Sequence, residues 1–195
     1  MLTPNFAPFP VLDTPRLILR QITLTDAPAV QRLRSDKEVM KYIHRPLTLT
    51  LEDAENWINT IEKAIVENSG INWGIYLREN LMEYVGTVGL WRIEKENYRA
   101  EIGYLLQSGL QRKGIMYEAV QQVIKYGFET LKLHSIEGRL DPENIASAAL
   151  LKKAGFIQEG YFRENYCLGN KFTDTAVYSL ITPERAGIKG EPAQY

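Results

Sequence analysis

Met116, Ala119, Val120, Val123, Ile124, Gly127, Phe128 and Leu131 recur at three-and-four spacing and make one continuous apolar stripe. That period commits the stretch following Gly109 to a helix with one buried side, and so demands a broad apolar surface to pack on. The flanking segments supply it. Residues 72–78, 83–93 and 98–106 read as strands with short polar turns between them, the pattern of an antiparallel meander. Residues 133–140 read as a further strand. Asp141-Pro142-Glu143-Asn144 then turns into a helix over 145–154 that Gly155 closes, and strands fit 156–165 and 172–181.

The first third of the chain alternates over residues 16–22, a strand, after which Thr25 and Asp26 offer N-caps for a helix to about Arg34. Residues 37–42 continue as a second short helix. Thr50 starts a helix over 50–68, with Trp57, Ile61, Ala64 and Ile65 at helical spacing and Gly70 placed as its C-terminal cap. The expected fold class is α+β, a mixed α/β sheet of six to seven strands flanked by helices. A length of 195 residues suits one domain. We expect an N-terminal extended arm over 1–14, which holds three prolines and little charge. The domain follows over 15–182, then a Gly/Pro-containing tail over 183–195.

Composition narrows the function. A net charge of -1 argues against nucleic acid as the main partner, because phosphate binding wants a Lys/Arg excess. No apolar run approaches the ~20 residues of a membrane span, and the N-terminus lacks the pattern of a secretory signal. Cys167 is the only cysteine, so no internal disulfide can form, and a cytoplasmic location is expected. A lone Cys is more often a small buried apolar residue than a reactive thiol. Two histidines, His44 and His134, lie too far apart for a metal-site pattern, and no metal is expected.

The chemistry concentrates at Gln111-Arg112-Lys113-Gly114-Ile115-Met116, between a strand and the striped helix. A helix start presents backbone N–H groups without intrahelical partners and the positive end of the helix dipole, which together suit a phosphate or diphosphate. Gly114 lets the backbone approach such a ligand, and Arg112 and Lys113 add charge at its rim. The Gly-Lys-Ser/Thr ending of a P-loop and the three-glycine dinucleotide fingerprint are both missing. By itself a glycine near a helix start is more often a turn.

Four segments in order, AEIGYLL (100–106), QRKGIMYEAV (111–120), DPENIASAALLKKAGF (141–156) and VYSLI (177–181), resemble the GCN5-related N-acetyltransferase (GNAT) superfamily. Together with TPRLILRQI (14–22), they are most similar to its RimJ/RimL-like branch, whose known members acetylate the N-termini of ribosomal proteins. The resemblance spans nearly the whole chain. It implies a GNAT fold with a mostly antiparallel twisted sheet, acetyl-CoA as cosubstrate, and direct transfer to a primary amine.

It also implies roles. Gln111, Arg112, Lys113, Gly114, Ile115 and Met116 would hold the diphosphate of coenzyme A. Gln111 and Gly114 match the family loop, while Met116 stands where a small residue is usual; its side chain can turn into the core stripe. The backbones of Tyr104, Leu105 and Leu106 would bind the pantetheine arm in a gap between splayed strands and stabilise the oxyanion. Asn144, a helix cap by position, matches a residue that bonds that arm. Glu101, on a strand among Ala100, Ile102 and Tyr104, is the candidate base, because burial raises a carboxylate toward a useful pKa. The tyrosine acid of many members is replaced by Leu151. Ser147 near the helix start is the alternative proton donor to the thiolate, or else only part of the cap.

Tyr161, Arg163, Glu164 and Tyr166 are open to two readings, the acceptor cleft or an ordinary polar strand face. Trp57, Trp73 and Trp91 are expected in the core. The acceptor is expected to be a protein or peptide N-terminus. The competitors are a small amine such as a polyamine, aminoglycoside or amino acid, for which Glu52, Asp53 and Glu55 offer a modest acidic group, and a non-catalytic acyl-CoA-binding module. Monomer and homodimer both remain open.

Overall fold

The computed structural model describes residues 1–168 and 171–183. Eight strands form one sheet: β1 (Leu12–Asp13), β2 (Leu17–Gln21), β3 (Ile71–Leu77), β4 (Asn80–Glu94), β5 (Arg99–Leu106), β6 (Ser135–Leu140), β7 (Ile157–Leu168) and β8 (Lys171–Ile181). Their order is β1-β2-β3-β4-β5-β6-β8-β7. Every pair is antiparallel except β5–β6. The eighth strand beyond the expected six to seven is the two-residue β1 at the edge. A parallel pair needs a long crossover, and α4 (Ile115–Glu129) provides it.

The apolar stripe of α4 does what its period requires. Ile115, Met116, Ala119, Val120, Val123 and Ile124 are all buried. They pack on the sheet face that carries Trp73, Val88, Leu90, Ile102 and Ile136; Trp73 meets Tyr126 of α4 edge-on at 5.2 Å. α5 (Ile145–Lys153) lies on the same face, with Leu151 over Gly138 of β6. The opposite face is covered over β3 and β4 by α1 (Ala27–Ser35) and α3 (Leu51–Val66), with the short α2 (Lys37–Met40) between them. All three tryptophans are buried or half-buried, as expected.

Capping departs from the expectation in two places. The turn before α1 is capped by Thr23, and Asp26 reaches back to the Thr23 N–H at 2.8 Å, so neither Thr25 nor Asp26 serves as the side-chain cap. α3 is not closed by Gly70, since Asn68 takes the left-handed conformation (φ 51°) instead. The Asn68 and Ser69 N–H groups bond the Ile65 and Ala64 carbonyls, which completes the cap two residues early. At α5 the expected glycine does the work: Gly155 has φ 95°, and Phe156 N–H returns to Leu151 O.

The N-terminal segment lies on the body of the protein. Leu2, Phe6 and Leu12 are buried, and the Trp73 indole donates to Pro10 O at 2.7 Å. Cys167 is exposed on the outer strand β7, against the expectation of a buried apolar residue. From residue 184 on, the expected tail lies outside the described residues. Among the described residues no helix is long and apolar enough to cross a membrane, and no group of His, Cys, Asp or Glu has the arrangement of a metal site.

Candidate active site

β5 is paired along most of one edge but only at its first three residues along the other. It matches β4 from Glu101 to Leu106, but meets β6 only through Arg99–Ser135, Ala100–Ile136 and Glu101–Glu137. Beyond that point β6 continues against β8 to Leu140. The two parallel strands therefore part at Glu101. The open edge over 102–106 offers backbone N–H and C=O groups to an extended guest, which can add to it like a strand. Tyr104, Leu105 and Leu106 lie on this unpaired stretch of β5. The Leu106 carbonyl is contacted by Gln111 Nε2 at 3.4 Å.

Glu101 points to the face opposite α4. Its side chain is 25% exposed, and Arg92 Nη1 donates to it at 2.9 Å. Burial raises its pKa above the ordinary carboxylate value; the Arg92 and Arg139 charges oppose that rise, and Glu137 adds to it. Glu137 stands beside it in the parallel register and is held by Arg139 and Arg99 at 3.1 and 3.4 Å. Arg92 reaches the carboxylate from a bulge in β4, where it adopts φ 48°. A partly desolvated carboxylate with these neighbours holds a proton more readily than a solvated one, which suits a general base.

The loop before α4 turns through two left-handed residues, Arg112 (φ 62°) and Gly114 (φ 75°). Gly114 occupies the N-cap position, and no side chain caps the helix there. Its first-turn N–H groups thus retain the anion-binding capacity of an open helix start. Met116 turns its side chain into the core beside Ile115, each 6% exposed, which removes it from the loop surface. Arg112 and Lys113 are exposed. Arg16, which the motif reading left without a role, donates to Lys113 O at 3.0 Å and pairs with Glu118 at 2.6 Å. It braces the loop and brings a third cation to it. A cleft of about 560 Å³ lies next to this loop on the β2–β3 side, bordered by Arg16, Arg78, Lys113 and Ile115, and none of its walls comes from β6 or α5.

Across the opening, Asn144 caps α5 through Oδ1, which accepts from Ser147 N–H at 3.0 Å. Asn144 Nδ2 makes no hydrogen bond among the described residues. Ser147 is half-buried, and its hydroxyl lies 2.7 Å from that of Tyr104 on β5. Burial pushes the Tyr104 hydroxyl up to about 12.

On the Glu101 face the structure adds a group that the motifs did not mark. His44, in the connection between α2 and α3, sets Nε2 3.2 Å from Asp141 and stacks on Tyr166 at 4.8 Å. The Tyr166 hydroxyl donates to His44 O at 2.8 Å, and Thr173 Oγ1 lies 3.5 Å from Nδ1. Asp141 also accepts from Glu143 N–H at 2.9 Å, so the same carboxylate shapes the turn that leads to Asn144. Of the four strand residues with two readings, Tyr166 alone enters this cluster. Tyr161 bonds Asp174 on the opposite face, Glu164 sits in a bulge at φ 48°, and Arg163 is exposed. The acidic group at the start of α3 resolves into a cap, with Asp53 accepting from Thr50 and Leu49 N–H.

Comparison with known proteins matches residues 16–157 to the family model described as an acetyltransferase (GNAT) domain. The chain is 38% identical over 175 residues to the uncharacterized N-acetyltransferase YoaA of Bacillus subtilis, covering 90% of this chain and 98% of that protein. Over 103 residues (52% of this chain, 53% of the relative) it is 29% identical to the ribosomal protein uS5-alanine N-acetyltransferase of Escherichia coli. The crystal structure of a GNAT-family acetyltransferase from Bacillus anthracis superimposes with a TM-score of 0.78 at 32% identity, covering 88% of this chain and 98% of that one.

Proposed function

The chain belongs to the GNAT acetyltransferase family, and on that premise we propose that it carries the acetyl group of acetyl-CoA directly to the α-amine of a protein or peptide N-terminus. The observation that carries this reading is the parting of β5 from β6 at Glu101. Supporting it, Gln111 contacts the Leu106 carbonyl, Ser147 reaches Tyr104 and is capped by Asn144, and the candidate base stands where the strands part.

The residues divide the work. The open helix start at Gly114 and the cations Arg16, Arg112 and Lys113 fit a diphosphate. The β5 edge and Asn144 fit the amides of a pantetheine arm. Acetyl-CoA supplies an activated acyl group. Over the reaction an acceptor ammonium gives up two protons, one ending on the sulfur and one passing to solvent. Glu101 accepts the proton that leaves nitrogen before attack. Backbone N–H groups of β5 stabilise the oxyanion. Ser147, at a helix start that favours negative charge, donates a hydrogen bond to the departing sulfur.

An α-amine is favoured over a polyamine by charge. Glu101, Glu137 and Asp141 each have a cationic or histidine partner, and Asp53 is used as a cap. Among the described residues, the carboxylates around the opening are thus compensated and present no free row to a polycation. An α-amine also has a pKa near 7.7–8.0, against ~10.4 for a lysine-type amine, so a modest base suffices to free it.

The test is release of free thiol from acetyl-CoA in the presence of N-terminal peptides, spermidine or an aminoglycoside. Peptide-dependent release is expected. Release with the small amines alone overturns the acceptor assignment. Binding of CoA with no release under any condition marks a non-catalytic acyl-CoA module.

A further inference from the structure

Tyr104 and Ser147 lie 43 residues apart, on β5 and on the first turn of α5, yet their hydroxyls meet at 2.7 Å across the base of the opening. The contact is out of the ordinary for two reasons. β5 and β6 no longer pair at this level, so the hydroxyl pair is a direct tie between the two walls. No other hydrogen bond of the Tyr104 hydroxyl is found among the described residues.

We propose that Tyr104 is a positioning residue: its hydroxyl donates to Ser147 Oγ and thereby turns the Ser147 proton outward, toward the departing sulfur of acetyl-CoA. This inference rests on the donor role of Ser147 given above. A serine hydroxyl has one proton and two lone pairs, and can rotate freely unless a neighbour fixes it. A phenol is the better donor and an alkyl hydroxyl the better acceptor, which sets the direction Tyr104 O–H to Ser147 Oγ. The second neighbour of Ser147 is consistent with this, because Asn144 Oδ1 engages the backbone N–H of Ser147 and leaves its hydroxyl proton unclaimed. The hydroxyl then enters the reaction already aimed, with no reorganisation as charge develops on sulfur.

Tyr104 is not the acid. Its hydroxyl is directed at Ser147 Oγ rather than at the sulfur, and burial, by raising its pKa, favours the neutral phenol that donates there. The proton that ends on sulfur arrives from solvent while the Ser147 hydroxyl hydrogen-bonds the thiolate, and Tyr104 stays neutral throughout.

The experiment is a double-mutant cycle with Tyr104→Phe and Ser147→Ala, read as kcat and KM for acetyl-CoA with Kd for CoA alongside. Tyr104→Phe is expected to lower kcat by about tenfold, the worth of roughly one aimed hydrogen bond. KM for acetyl-CoA and Kd for CoA are expected to stay unchanged. In the Ser147→Ala background, Tyr104→Phe is expected to cost nothing more. Equal losses in both backgrounds assign Tyr104 a packing role and overturn the proposal, as does an unchanged kcat in the single variant. A wild-type kcat in Ser147→Ala removes the donor role of Ser147 and this inference with it. An unsubstituted chain that releases no thiol overturns the acetyltransferase reading itself, an outcome distinct from the other three.

Discussion

Glu101 and Glu137 stand side by side in the register of the parallel pair β5–β6, two carboxylates on one face at the point where the strands separate. Like charges so placed favour the protonated form of one of them. Burial is the larger cause of the raised Glu101 pKa, and Glu137 adds to it.

Replacing Glu101 with Gln is therefore expected to lower kcat/KM by about 10²–10⁴-fold, the range for a general base. The wild-type rate falls as pH drops through the Glu101 pKa, which lies above 4.5; the residual rate of the variant lacks that limb. Stability moves the other way. A folded-state pKa above the unfolded value means that the native chain holds the proton more tightly, so ionisation costs stability as pH rises through that interval. Glu101→Gln avoids the cost and is expected to melt no lower than wild type at pH 7. A pH-rate profile and a thermal melt check both halves.

The neighbours of Glu101 are expected to shift that acid limb in opposite directions. Glu137→Gln removes a like charge and moves it to lower pH. Arg92→Ala removes the guanidinium at 2.9 Å and moves it to higher pH. Arg92 is 67% exposed, so added salt screens its effect and narrows the difference between wild type and Arg92→Ala. Limbs that stay in place in both variants remove Glu101 as the titrating base.

Most of the fold was legible in the sequence because it is written in local periods. The α4 stripe, the alternating strands and the Gly155 cap each depend on residues a few positions apart. The motifs also singled out Glu101, the 111–116 loop, Asn144 and Ser147 as candidates. Arg92, Glu137 and His44 were not legible. Arg92 reaches Glu101 only through a bulge with positive φ, and Glu137 is its neighbour only through a parallel register that a helix crossover creates. His44 finds Asp141 97 residues away and Thr173 129 residues away. The Tyr104–Ser147 tie is of the same kind, although both residues had been singled out separately. Asn68 in place of Gly70 shows the reverse: the helix end was signalled, and a nearer residue able to adopt the left-handed turn took it.

At the phosphate loop, Gly114→Val is expected to raise the Kd for CoA, because φ 75° is costly for a β-branched residue. The fold should lose at least about 1–2 kcal/mol by the same strain. Arg16→Ala leaves Gly114 intact but unbraces Lys113 O, and is expected to weaken CoA by roughly fivefold, the worth of about 1 kcal/mol. Isothermal calorimetry with CoA separates the two effects from a denaturation curve.

His44 joins the α2–α3 connection to the Asp141 turn and to the β7–β8 hairpin. His44→Ala is expected to cost about 1 kcal/mol and to speed amide hydrogen exchange in residues 41–49 and at Tyr166. It should raise KM for the acceptor peptide while Kd for CoA stays unchanged. Exchange that is unaltered in both segments contradicts the role of His44 as their link.

The central claim is that an acetyl thioester is delivered along the open edge of β5 to the side of Glu101. A crystal structure with bound coenzyme A tests it most directly. The account predicts the diphosphate on the N–H groups at the start of α4, the pantetheine along residues 104–106, and the sulfur between Glu101 and Ser147. A coenzyme bound away from that edge, or a sulfur out of reach of both residues, contradicts it.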